Sequence, residues 1–202
     1  MKRKLFSFVL TLSLSLSLVT VVGAAEPTMG EEKVLEIECM DFYENQDYYM
    51  SLVEEKDYTL HFDVTNENRD FVLAKMAEGA SDTAELQPAV TRGLTAPTQG
   101  HNINTGSLTF NGDAEYSNLY TNKYCTGSDC YVVTLLNDTY EAAELKVTAY
   151  NVLRPYQITY FPAGVTVKKY IMSGTTYASA IKQHFYLQFH APVHASGTIA
   201  KG

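Results

Sequence analysis

From residue 108 onward the chain is a succession of short apolar runs separated by turn residues, and that rhythm restricts it to packed β-strands. Residues 131–136 are β-branched and aliphatic almost throughout and end at the turn pair Asn137-Asp138. In residues 145–150 the apolar Leu145, Val147 and Ala149 alternate with Lys146, Thr148 and Tyr150, so one set points to a core. Residues 156–160 and 165–171 continue the pattern around Pro162 and Gly164. Phe185, Leu187 and Phe189 make a further inward row, opposed by His184, Tyr186, Gln188 and His190. The expected fold class is therefore all-β: an antiparallel β-sandwich, Ig-like or jelly-roll-like, over residues 107–202, its two sheets sharing one core.

The segment before it, residues 26–106, reads as an acidic N-terminal extension and linker that contributes strands at most locally. Glu31, Glu32, Glu36, Glu38, Asp41, Glu44, Asp47, Glu54, Glu55 and Asp57 crowd its first half. Residues 34–40 are compatible with a strand. Residues 58–64 alternate more clearly, with Tyr58, Leu60, Phe62 and Val64 on one face. Residues 70–78 are helix-like, with Phe71, Leu73 and Ala74 near one side. Residues 79–106, rich in Gly, Ala, Ser, Thr and Pro, carry almost no periodicity and read as a linker.

The first residues set the compartment. Lys2, Arg3 and Lys4 precede an apolar stretch from Leu5 to Val22, and Gly23, Ala24 and Ala25 follow it. That order is the layout of a cleavable signal peptide over residues 1–25. The competing reading, an uncleaved anchor helix, is weakened by Ser7, Ser13, Ser15 and Ser17 within the stretch. The expected protein is secreted, with no stable membrane insertion after cleavage. Cleavage removes three basic residues and no acidic one, which takes the net charge from −8 to −11. So acidic a chain lacks the basic patches that nucleic acid and anionic membranes require: no nucleic-acid partner is expected, and an anionic membrane surface is a poor one.

Cysteine usage fits export. Cys125 and Cys130 are separated by Thr126-Gly127-Ser128-Asp129, a turn-forming stretch able to bring two Cα atoms within bridging range, and a local disulfide is expected. Cys39 is left over as a buried thiol, an intermolecular link, or the true partner of either of the others.

Residues 119–124 (Leu-Tyr-Thr-Asn-Lys-Tyr), 131–134 with Asn137, 185–192 (Phe-Tyr-Leu-Gln-Phe-His-Ala-Pro) and 196–199 (Ser-Gly-Thr-Ile) together resemble small secreted β-sandwich proteins of Gram-positive bacteria. Their end is similar to the last strands of bacterial pre-peptidase C-terminal domains. The resemblance covers about residues 106–200 and implies a bacterial, secreted sandwich; it transfers no functional residue.

Templates for catalysis are missing from the sequence. It holds no Gly-x-Ser-x-Gly elbow, no His-Glu-x-x-His, no phosphate loop and no dinucleotide glycine pattern, and a catalytic role is not expected. His184, His190 and His194 invite a metal reading, but on a strand the first two stand ~20 Å apart at ~3.3 Å per residue, beyond the reach of one ion. Asn111-Gly112-Asp113 with Glu115, and Ser128-Asp129, offer oxygen donors of the kind calcium takes, although Asn-Gly is also the leading hairpin-turn pair. Neither a metal nor a cofactor is expected. Tyrosines are the remaining candidates: the chain has fifteen, with no tryptophan, and Tyr116, Tyr120 and Tyr124 before the cysteine loop are the ligand-facing aromatics to test, beside Tyr43, Tyr48 and Tyr49 in the acidic segment. The function expected from sequence is a secreted non-catalytic binding or structural module whose partner is an extracellular protein or glycan. The alternative is an extracellular enzyme or enzyme accessory domain that binds calcium or carbohydrate.

Overall fold

A computed structural model of the chain describes residues 33–80, 95–138, 144–152, 154–172 and 184–202. The expected signal peptide, residues 1–25, lies outside the described residues, as do residues 81–94 of the expected linker. In chain order the elements are β1 (Lys33–Glu36), α1 (Cys39–Glu44), α2 (Gln46–Lys56), β2 (Tyr58–Phe62), α3 (Arg69–Ala80) and β3 (Gly100–Asn102). There follow β4 (Leu108–Ala114), β5 (Leu119–Tyr120), β6 (Tyr124–Thr126), β7 (Cys130–Asn137) and β8 (Leu145–Asn151). β9 (Arg154–Phe161), β10 (Gly164–Ile171), β11 (Phe185–Phe189) and β12 (Val193–Lys201) complete the set.

The fold is mostly β, with two sheets packed face to face and a helical layer on the far side of one of them. Sheet A has the order β1-β2-β10-β7-β12-β4, and sheet B the order β3-β6-β11-β8-β9, with β5 also paired to β11. Both sheets are mixed, which corrects the strictly antiparallel expectation: β1 runs parallel to β2 and β3 parallel to β6. A parallel pair needs a crossover, and α1 and α2 supply it between β1 and β2. The acidic segment thus enters the fold. Residues from 32 onward form one compact unit.

The core between the sheets takes Phe110, Tyr131, Val133, Leu135, Tyr170 and Ile199 from sheet A, and Leu145, Val147, Ala149, Phe161, Phe185, Leu187 and Phe189 from sheet B. The other face of sheet A presents Leu60, Phe62, Val132, Leu136, Val165 and Val167, closed by Cys39, Phe42, Val53 and Val72 of the helices. Sheet A is therefore buried on both faces, which is why residues 131–136 read as a continuous apolar run where a half-exposed strand would alternate. Fully burying each such aliphatic side chain is worth roughly 1.5–3 kcal/mol, so the helical layer is an integral part of the fold.

Local chemistry explains the helices. Asn45 joins them, and its side-chain amide donates to the Asp41 carboxylate at 2.7 Å. Asp57 takes a left-handed conformation, φ 59°, and its N–H closes on the Leu52 carbonyl, which ends α2 one residue before β2. The strand expected over residues 34–40 stops at Glu36, because Cys39 and Phe42 bury themselves from a helix instead.

The local disulfide expected between Cys125 and Cys130 is not formed, and Cys39 is a buried thiol, one of the alternatives open for it. Cys125, Cys130 and Cys39 are all free. Cys125 is fully buried between the sheets, whereas Cys130 shares its pleat with Val132 and Leu136, on the helix-covered face of sheet A. With sheet A between them, the two side chains point apart, and sequence proximity does not bring the sulfurs together. The turn expectation at Asn111-Gly112 fails as well. Both residues lie within β4, paired to Ser196 and Ala195 of β12.

Candidate functional site

The outer face of sheet B, opposite the helical layer, gathers the tyrosines. Once Leu119, Cys125, Leu145, Val147, Ala149, Phe185 and Leu187 are committed to the core, strand alternation turns their neighbours Tyr120, Tyr124, Lys146, Thr148, Tyr150, Tyr186 and Gln188 outward. The rings of Tyr150 and Tyr186 stack with centroids 5.0 Å apart and planes within 4°. Tyr120 meets Tyr186 from its other side at 6.3 Å. Tyr124 stacks on His184 at 3.9 Å. β9 continues the surface with Ile158 and Tyr160, 50% and 56% exposed.

Polar groups are interleaved with the rings. Tyr150 Oη donates to Gln188 Oε1 at 3.0 Å, and Gln188 Nε2 donates to Tyr120 Oη at 2.8 Å. This chain fixes the amide and both hydroxyls across three strands. His190 Nε2 lies 2.9 Å from Thr148 Oγ1, and the His190 N–H donates to the Lys146 carbonyl at 3.0 Å. Burial, and then the Lys146 charge, push the His190 imidazole below its ordinary pKa. Burial raises the Tyr150 and Tyr186 phenols above their ordinary value. Gly100, paired with Tyr124, leaves the room its ring needs: a Cβ there would stand 2.8 Å from Tyr124 Cε2.

Of the three tyrosines singled out from sequence, Tyr120 and Tyr124 belong to this face. Tyr116 is 86% exposed in the connection from β4 to β5, its hydroxyl donating to Glu115. Tyr150 and Tyr160 were missed as ligand-facing groups; Tyr186 and Gln188 share the outward pleat but are buried among their neighbours, 3% and 8% exposed. Their signal was present in the register of the inward rows, because whatever alternates with Val147 or Leu187 must face out. Tyr43 and Tyr49 pack into the helical layer, and Tyr48, 61% exposed, sits in an open depression beside the α1–α2 junction. That depression is lined by consecutive residues, 43–48, of one junction, so no separate elements converge on it.

The histidines are dispersed. His184 and His190 flank β11, one at each end, and His194 belongs to β12. His194 Nδ1 lies 3.1 Å from Asp113, and its Nε2 lies 3.3 Å from Asp138, which also holds Arg69 in a two-pronged ion pair. Opposite edges of one imidazole cannot converge on a single ion, so this network ties α3 to the ends of β4, β7 and β12 instead of forming a cage. Among the described residues no group of three or more His, Cys, Asp or Glu side chains is placed to hold a metal ion. The oxygen donors of Asn111, Asp113 and Asp129 do not come together as a loop: the first two lie on β4 opposite Ser196 and His194, and Asp129 directly precedes β7.

Comparison with protein-family models, with curated proteins and with solved structures finds no match to this chain.

Proposed function

We propose that the protein is an exported, non-catalytic β-sandwich module that binds carbohydrate on the outer face of sheet B. The observation that carries this reading is the set of part-exposed and exposed tyrosines Tyr120, Tyr150 and Tyr160 on one sheet face, the first two held in place by the buried Tyr186 ring and Gln188 amide between them. Aromatic faces receive the C–H faces of sugar rings, while phenol hydroxyls pair with sugar hydroxyls. Flat extent across neighbouring strands suits an extended chain better than a compact small molecule, which prefers a deep cavity. Export is supported by the sequence of residues 1–25. A glycan array probed with the mature chain tests the reading: retention of one polysaccharide class, lost in Tyr150→Ala, supports it. Retention that Tyr150→Ala and Tyr120→Ala leave untouched would move the site elsewhere.

A further inference from the structure

β9 closes one edge of sheet B, with β8 as its neighbour in the strand order. Which of its main-chain groups are left open follows from bonds deeper in the sheet. The His190 N–H donates to the Lys146 carbonyl, so Lys146 turns its main-chain groups toward β11. Successive residues of a strand turn theirs to opposite sides, which sends those of Val147 and Ala149 toward β9, where they meet Thr159 and Gln157. Ile158 and Tyr160 therefore aim their N–H and C=O groups away from β8, to a side where no strand stands among the described residues. Their side chains lie on the outer face, 50% and 56% exposed. The other edges are guarded: β1 carries Lys33 and Glu36, β3 spans three residues, and β4 carries Asp113. Charge and shortness are the usual protections against edge-to-edge pairing. Residues 157–161 of β9, Gln-Ile-Thr-Tyr-Phe, carry no charge, and Pro155 with the register shift opposite Tyr150 protects the first half of the strand alone.

We propose that this edge is an interface between two copies of the chain, their β9 strands paired antiparallel about a two-fold axis at Thr159. That axis sets Ile158 of each copy opposite Tyr160 of the other, so the outward N–H groups of one copy donate to the outward carbonyls of its partner in both directions. It also lays a β-branched side chain against an aromatic ring on the outer face, a favourable cross-strand combination. Electrostatics point to a second copy as well. The chain has a net charge of −8, so two copies repel over much of their surface, but β9 contains neither Asp nor Glu, and Arg154 lies outside the paired residues. Pairing consumes the edge in both copies, so assembly stops at the dimer. So short a contact belongs at the small end of specific interfaces, about 1,200 Å² or less in total, and the dimer is a weak one that forms with rising concentration. The pairing does not depend on what the tyrosine face binds.

Sedimentation velocity of the mature chain from about 0.01 to about 1 mM, a range that spans weak association, should show a monomer–dimer equilibrium. Ile158→Pro removes an N–H that faces solvent in the monomer and the second copy in the dimer. It should leave the fold intact by circular dichroism, as proline does on an open strand edge, and raise the dissociation constant at least about tenfold. Ile158→Lys changes a side chain that is half exposed and brings two cations near each other across the axis; it should weaken the dimer too, most strongly at low salt. Asn111→Lys on the β4 edge should change nothing. A chain that stays monomeric up to about 1 mM would overturn the interface. A dimer that neither Ile158 variant weakens would overturn it as well, and one that Asn111→Lys dissociates instead would move the contact to β4.

Discussion

Tyr150 on β8 and Tyr186 on β11 stand directly opposite one another in the register of sheet B, and their rings stack within 4° of parallel. Cross-strand aromatic pairs of this kind add ~0.5–1.5 kcal/mol beyond their buried area. Tyr150→Ala removes that pair and the hydroxyl that donates to Gln188. The expected cost is about 1–2 kcal/mol in urea unfolding. Tyr150→Phe keeps the stack and should recover most of the stability while still lowering glycan retention, which separates packing from binding.

Thiol chemistry distinguishes the cysteines. Burial pushes the Cys125 thiol up to about 12, so it stays protonated and inert in the folded protein. Cys130 is part-exposed at the start of β7. Alkylation followed by mass spectrometry should label Cys130 first and Cys125 only on unfolding. A peptide linking Cys125 to Cys130 under non-reducing conditions would contradict the placement of their side chains on opposite sides of sheet A. Cys125→Ser should cost ~1–3 kcal/mol by placing a hydroxyl in the apolar core.

Gly197 sits in β12 between β7 and β4, paired to Leu135 and Phe110. A Cβ there would fall 2.2 Å from the Thr134 carbonyl oxygen and 2.7 Å from Phe110 Cζ. The carbonyl belongs to a central strand and cannot swing aside as a side chain would. Gly197→Ala is expected to destabilise by about 2 kcal/mol, read as a lower thermal midpoint, by overpacking the contact between adjoining strands.

The pH response of His190 has a defined sign. Its imidazole is held below the ordinary value by burial and by Lys146, so the unfolded chain takes up the proton first as pH falls. Stability contributed by the neutral ring is therefore present above the unfolded imidazole value of ~6.5 and is lost as pH drops from there toward the lower folded value. Urea midpoints at about pH 7.5 and about pH 5.5 should show a smaller drop in His190→Gln than in the parent chain.

The strand rows were legible because alternation is a local property: Leu145, Val147 and Ala149, or Phe185, Leu187 and Phe189, declare an inner face before any partner strand is known. Tyr58, Leu60 and Phe62 did the same within the acidic segment, and α3 at Arg69–Ala80 was anticipated over residues 70–78. α1 and α2 were not. Their buried residues are few, Cys39 and Phe42 in one and Leu52 and Val53 in the other, too sparse to write a helical period among so many carboxylates. Asn111-Gly112 misled for the opposite reason, since a strong local turn signal yields where a long strand pairs with β12 on one side.

By itself, then, the sequence determined which side chains of each strand seek the core, and so the β-rich class and the outward set of tyrosines. Only the tertiary structure decided which strands become neighbours, and with that the stacking of Tyr150 on Tyr186 and the separation of Cys125 from Cys130 by sheet A. The physical reason is that burial acts on each residue through its own hydrophobicity, whereas pairing order is set by contacts between segments far apart in the chain, whose energies are known only once the whole core has closed.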